Sequence, residues 1–364
     1  MAQSEAEANQ LWSPPDYQSL NQGAIGYAEN PFLVPESLKD EVQFWIDIYS
    51  KYTTRQGVFH LSGRTDQILG TIDLTDVYSN QQWSKIRQEK EAEVLIRRQK
   101  RRIAQENHIQ NVNHVRLQMG LKDRMLEAIQ LSGYYLPLME KIFQEENLPV
   151  ELTRVVFVES SFNIEAGSKV GANGLWQIMP RLAKKFKYLK PSYDLRRHPL
   201  YSTRLAARIF KENYQILKSW PLAVTAYNHG VGSLHRIVRK YKSNDINYLT
   251  ENVHSKKSFG FASRNFYVTF LAALHVEANA NLYFPEPLMK KSELKLRNVY
   301  LKKNMKYEAL LDLFDQDRKK MKLYNPHIKS SLMKPGRSWP VSTLVNLPYT
   351  QTIELGAFRV DEQE

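Results

Sequence analysis

Residues 148–168 read LPVELTRVVFVESSFNIEAGS. Pro149 suits the first position of a helix, where its missing N–H is no loss, and Glu151 lies in the first turn, at the positive end of the dipole. Leu152, Val155, Val156 and Phe157 supply a buried face, and the helix is expected to run out at Glu159, Ser160 and Ser161. A carboxylate there is opposed by the negative end of the helix, and Val155, Val158 and Phe162 would desolvate it. Both effects raise its pKa, and a raised glutamate is what general acid catalysis near neutral pH requires. Taken alone, a glutamate on an exposed helix end is the commoner arrangement, so the candidate depends on its neighbours along the chain.

Two further clusters follow. SKVGANGLWQIMP (168–180) has Gly171 and Gly174 in a loop, then Trp176, Gln177, Met179 and Pro180. Trp176 and Met179 could floor a sugar site, because pyranose rings present apolar CH faces, and Gln177 could bond a hydroxyl or acetamido group. Each is also an ordinary core residue when taken singly. WPLAVTAYNHGVGS (220–233) places Tyr227 and Asn228 at the end of an apolar helix, with Gly230 and Gly232 opening the next turn. That suits a cleft wall, against the alternative of a buried tyrosine with a satisfied hydroxyl.

Taken together, the order E-S-x-F-x(8)-G-A-x-G-L-W-Q-I-M-P, with A-Y-N-x-G about 50 residues on, resembles the soluble-lytic-transglycosylase family, which shares the goose-type lysozyme fold. The resemblance covers roughly residues 131–285. It implies a lysozyme-like helical catalytic domain; with the helical patterns before it and the short β-like runs after it, the chain is expected to be mainly α, with a helical N-terminal extension and a small α+β C-terminal segment. It makes Glu159 the catalytic acid and base, with Ser160 as its supporting partner. Gln177 and Met179 would line sugar subsites, and Tyr227 and Asn228 would flank the scissile bond. Tyr267, in FASRNFYVTFLAAL (261–274), matches a family tyrosine in an E-T-x-x-Y-V pattern, but the Glu and Thr positions hold Ser263 and Arg264.

Glycosidases usually use two carboxylates, and one is convincing here. Asp194 in PSYDLRRHP is expected to order a loop or pair with Arg196 or Arg197, and Glu165 to sit in an exposed loop. A single carboxylate suits lytic transglycosylation, which the resemblance implies: cleavage between N-acetylmuramic acid and N-acetylglucosamine to leave 1,6-anhydro ends. A goose-type muramidase that hydrolyses the same bond, and a noncatalytic wall-binding protein, are the competing readings. No cofactor and no metal are implied.

Around this core the 364-residue chain carries a net charge of +13, which favours an acidic partner, and has no cysteine, which excludes disulfides, thiolate metal sites and cysteine nucleophiles. Its 15 Phe and 20 Tyr can fill a substantial core. No run approaches the ~20 apolar residues of a membrane span. The first residues lack a basic patch followed by an apolar stretch, so the protein is cytosolic or a signal has been removed. The resemblance favours the second: a periplasmic or exported monomer that acts on peptidoglycan strands, with outer-membrane association only through a removed signal.

Residues 1–36 are expected to form an extended arm, 37–130 a helical extension, 131–285 the catalytic domain and 286–364 a C-terminal segment. In SLKDEVQFWIDIYSKY (37–52), Leu38, Val42, Trp45, Ile46 and Tyr49 form one stripe behind a Ser37 cap. Residues 59–78 read as a hairpin or as irregular chain, and 83–120 as one long helix. The basic run RRQKRR (97–102) within it reads as a solvated face, against the alternative of a nucleic-acid site, which would want interleaved aromatics that the run lacks. Gly133 and Pro137 break or bend the next helix. Near the C-terminus a helix, then LYNP (323–326) and VNLP (345–348), resemble a degraded LysM-like glycan-binding module, against simple packing on the catalytic domain.

Overall fold

The computed structural model describes residues 17–27, 30–253, 259–284, 288–350 and 356–361. Helices dominate, as expected of a mainly α chain. In order they are α1 (Lys39–Ser50), α2 (Lys85–Glu106), α3 (Lys122–Ser132), α4 (Leu136–Glu145), α5 (Val155–Ser160), α6 (Pro180–Lys185) and α7 (Pro199–Leu217). Then come α8 (Trp220–His229), α9 (Val231–Tyr241), α10 (Ile246–Asn252), α11 (Phe261–Ala278), α12 (Tyr307–Asp312) and α13 (Arg318–Tyr324), besides shorter turns. Among the described residues no helix is long and apolar enough to cross a membrane. The chain forms two compact units, one of Met1–Gln130, Asn147–Val158 and Ile209–Met289, the other of Leu131–Glu146, Glu159–Arg208 and Lys290–Glu364.

In the first unit α11 is the central helix. It is apolar nearly all round and buried from Phe266 to Glu277, the pattern of a helix enclosed by its own protein. Helices α1 and α8 pack on it. The stripe expected on α1 is buried throughout, from Leu38 to Tyr49. Ser37 is not its cap; it sits in a 3-10 turn, Glu36–Leu38, and accepts a hydrogen bond from Asn247 (2.9 Å). A buried Arg154–Glu277 ion pair (3.3 Å) ties the turn before α5 to α11.

Of the arm expected over 1–36, residues 1–16 fall outside the described part. Residues 17–27 form turns laid against the start of the Glu159 segment. Asn21 accepts the Val150 N–H (2.9 Å), and both Asn21 (2.8 Å) and Tyr27 (2.5 Å) donate to the buried Glu151 carboxylate. Glu151 is thus satisfied by side chains, beyond any help from the helix dipole.

Residues 59–78 do contain a hairpin. Strands β1 (Gln56–Leu61) and β2 (Arg64–Asp73) pair antiparallel, with Gln56 opposite Asp73. The long helix expected over 83–120 ends at Glu106, beyond which His108 takes a left-handed φ of 53°. Residues Val115–Met119 form β3 and complete a sheet of order β2-β1-β3. Val115 and Leu117 alternate onto a small core with Phe59 and Ile103. Over five residues a strand's alternation is hard to distinguish from a continuing helix stripe. The basic run on α2 is solvated as expected, since only Ala92, Ile103 and Ala104 of that helix are buried.

In the second unit the break between α3 and α4 falls at Gly133, with Pro137 in the first turn of α4. A Cβ on Gly133 would lie 2.0 Å from the Lys291 carbonyl, so the close passage of these two segments requires glycine. The C-terminal segment is α+β: β4 (Leu296–Leu301), α12, α13, β5 (Leu344–Pro348) and β6 (Phe358–Val360), with β4 antiparallel to both other strands. The LYNP and VNLP motifs lock together. Asn325 accepts the Asn346 N–H (2.8 Å) and donates to its carbonyl (2.9 Å), while the Asn346 side chain donates to the Tyr324 carbonyl (2.9 Å). This segment shares one apolar core with Tyr193, Leu195 and Tyr201. His198 to Asn346 (2.7 Å) and the Tyr201–Asp361 hydrogen bond join the same two parts.

Candidate active site

Pro149 precedes a 3-10 turn, Val150–Arg154, which leads directly into α5. Val155, Val156 and Phe157 are buried as expected, and the helix stops after Ser160. Ser161 and Phe162 both take left-handed φ values (50° and 55°), and the buried Phe162 ring anchors the turn. Glu159 therefore stands in the last turn of a short helix. The residue keeps some contact with solvent, yet its carboxyl is desolvated enough to push the pKa up to about 7. Burial is the whole cause.

The loop from Ala166 to Met179 is braced on several sides. Gly174, at φ 76°, lies so close to the next segment that a Cβ would sit 2.1 Å from the Arg196 carbonyl. Arg196 donates to the carbonyls of Gly171 (2.6 Å) and Ile178 (3.2 Å) and pairs with Asp194 (2.7 Å), so Asp194 orders this loop through its arginine. Gln177 sits at φ 45°, and its amide donates to the carbonyls of Ala166 (3.1 Å) and Gly174 (2.8 Å). Its side-chain N–H groups hold the loop, which leaves the amide oxygen as the acceptor it offers. Met179 is 45% exposed. Trp176 is 0% exposed, stacked on Phe143 (5.7 Å) with its N–H donated to Thr203 (2.9 Å). It is core, and the reading of Trp176 as a sugar-site floor is corrected: a fully enclosed indole offers a ligand no face. Glu165 is exposed and pairs with Lys322 (2.6 Å).

Tyr227, Asn228 and Tyr267 belong to the other unit. Tyr227 is half-buried and stacks on Phe210 (4.8 Å, 14° between planes); Asn228 is exposed in the last turn of α8. Tyr267 is only 1% exposed and its hydroxyl donates to the Pro31 carbonyl (3.3 Å), so burial holds the phenol strongly protonated. The departure at 263–264 resolves into two different roles. Arg264 caps backbone, donating to the carbonyls of Phe259 (2.8 Å), Thr250 (2.8 Å) and Val253. Ser263 instead joins α8: its hydroxyl donates to Asn228 Oδ1 (3.1 Å) and lies 3.0 Å from His229 Nδ1. His229 Nε2 in turn meets the Ser233 hydroxyl at 3.1 Å. Burial lowers the His229 pKa and favours the neutral ring. Sequence reading passed over His229, which fills the unspecified position of A-Y-N-x-G; its one signal is a serine four residues on, across a helix turn.

With this geometry in place, residues 138–250 match the Transglycosylase SLT domain family. The match is to that domain over those residues, less than a third of the chain. Over 204 residues it is 26% identical to "Membrane-bound lytic murein transglycosylase D" of Escherichia coli (strain K12), covering 56% of this chain and 44% of that protein. The protein of the same name from Escherichia coli O6:H1 gives the same values. Over 119 residues the chain is 34% identical to "Putative tributyltin chloride resistance protein" of Alteromonas sp. (strain M-1), covering 32% of this chain and 58% of that protein. The chain thus spans less than two thirds of the length of each of these relatives. The SLT match takes in Glu159, Ser160, Gln177, Met179, Tyr227 and Asn228, while Tyr267 and Ser263 lie beyond it.

Proposed function

We propose that the protein is a peptidoglycan lytic transglycosylase in which Glu159 acts first as acid and then as base. The observation that carries this reading is the Glu159 carboxyl, held at a pKa of about 7 at the end of α5 within an SLT domain. At neutral pH about half of such a population is protonated, and a carboxyl of that kind is suited to both halves of the reaction. Glu159 gives its proton to the oxygen between N-acetylmuramic acid and N-acetylglucosamine as the C1–O bond breaks. The muramoyl C6 hydroxyl then closes on C1, and its proton returns to Glu159, which restores the starting state without water. Ser160, Gln177, Met179, Tyr227 and Asn228 are assigned to the glycan site, and Tyr267, enclosed in the core with its hydroxyl on the Pro31 carbonyl, is assigned a supporting role there. Met179 would offer an exposed apolar contact, and Asn228 an exposed amide.

In this reading residues 131–285 are the catalytic domain, with the arm (1–36) and extension (37–130) before it. The segment 286–364 is a degenerate LysM-like module, a reading supported by its β4–α12–α13–β5 order. The action is periplasmic or extracellular, and the protein works as a monomer. Digestion of purified peptidoglycan tests the proposal. Glu159→Gln should abolish turnover while strand binding survives, and retained turnover would overturn the assignment. Product mass separates the chemistry, since anhydro ends are one water lighter than the reducing ends left by a muramidase.

A further inference from the structure

We propose that Ser263 and His229 are positioning residues that hold the Asn228 amide with its oxygen turned inward and its N–H₂ presented to the glycan. This rests on the assignment of Asn228 to the glycan site. Four side chains make one chain of hydrogen bonds: Ser233 to His229 Nε2 (3.1 Å), His229 Nδ1 to Ser263 (3.0 Å), and Ser263 to Asn228 Oδ1 (3.1 Å). A serine hydroxyl has one proton to donate. Ser263 donates its proton to Asn228 Oδ1, which can only accept. It must therefore accept from His229, so Nδ1 carries the ring proton. Nε2 is then bare and accepts from Ser233. Each link fixes the next, and the direction of the whole chain is set by the amide oxygen at its end.

The surrounding fold favours this direction over its reverse. Ser263 lies in the first turn of α11, an 18-residue helix, where the unpaired backbone N–H groups create a positive field. An amide oxygen is stabilised there and an N–H₂ is not. The His229 ring is also fixed by edge-on contact with Phe259 (5.4 Å). With Oδ1 engaged, Asn228 is left with two donors on the exposed end of α8, suited to hydroxyl or acetamido oxygens. A neutral hydroxyl and imidazole thus orient a binding amide at the place where the family pattern carries an acidic residue, and no charge is required for that task.

Two measurements test this. The ¹⁵N spectrum of His229, assigned by loss of its signals in His229→Gln, should show a protonated Nδ1 and a bare Nε2. A protonated Nε2 would overturn the proposal. In peptidoglycan digestion Ser263→Ala should lower kcat/KM about 5–10-fold, the value of one well-placed hydrogen bond. Ser263→Thr, which keeps the hydroxyl, should restore most of it. The same Ser263→Ala change made in an Asn228→Ala protein should have no further effect, because its action passes through Asn228. Additive losses would mean that Ser263 merely supports the fold, and would refute the positioning role. If Asn228→Ala leaves kcat/KM unchanged, the inference fails while Glu159 keeps its assignment. If instead Glu159→Gln remains active, the functional reading itself has failed.

Discussion

Removing the charge from Glu159 should strengthen the folded protein at alkaline pH while it destroys activity. The folded carboxyl titrates at about 7 against an ordinary 4.5, because burial disfavours its ionised form. Between those values the folded state holds a proton that the unfolded chain releases. The stability linked to that proton is fully present below about pH 4.5 and is lost as pH rises through about 7. The difference is worth about 3 kcal/mol at most, since the residue keeps part of its contact with water.

Glu159→Gln is neutral at every pH and escapes this loss. Near pH 8 the variant should exceed the wild type by up to about 3 kcal/mol, and near pH 4 the two should coincide. In urea, with a slope of about 3 kcal/mol per M, this is a midpoint displacement of about 1 M at the higher pH. Equilibrium unfolding followed by tryptophan fluorescence at both pH values reads it directly. A difference that is the same at both, or a wild type that is the more stable near pH 8, would refute the claim that Glu159 is held neutral by its surroundings.

Three other outcomes are expected. Turnover needs the protonated carboxyl at the start, so kcat/KM should fall about tenfold per pH unit above the Glu159 pKa of about 7; a profile flat to pH 9 would contradict this. Gly174→Ala should destabilise the protein by about 2 kcal/mol or more in thermal unfolding, because it combines a φ of 76° with a Cβ 2.1 Å from the Arg196 carbonyl. His198 and His327 are buried with rings 4.6 Å apart, and burial lowers both pKa values, that of His327 to about 4. Their stabilising neutral forms are intact above pH 6.5 and are undermined as pH falls below it, by about 1.4 kcal/mol per pH unit for each ring. Replacing His327 by Gln should flatten the acid side of the stability profile, whatever it does to stability at neutral pH.

Much of this was legible in the sequence because it depends on near neighbours. The α1 stripe, the breaks at Gly133 and Pro137, and the end of α5 at Ser160 follow from spacing and from residues whose backbone preferences are narrow. Glu159 could be singled out for the same reason: the apolar residues beside it in the chain are those of a buried helix, although it took Gly174, Tyr227 and Asn228 to give the carboxylate a context. What the sequence could not supply depends on partners far along the chain. Val115–Met119 is a strand because β1 lies beside it, some sixty residues earlier. Trp176 looks like a sugar platform until Phe143 and Thr203 enclose it. Asn325 and Asn346 look like two turn devices until they bond each other.

Ser263 is the sharpest case of this kind. Set against a pattern with glutamate, it is a departure in charge and identity at one position. In this protein the side chain at that position bonds the exposed amide of Asn228. A carboxylate can do that only by accepting from the amide N–H₂, which turns those donors inward. A hydroxyl can donate to the amide oxygen instead, provided that a second group supplies Ser263 with its own hydrogen bond, and His229 stands 3.0 Å away to do so. The two arrangements present opposite ends of the same amide to a ligand. The substitution at Ser263 is therefore a change in what Asn228 offers, with His229 as the residue that makes the change workable.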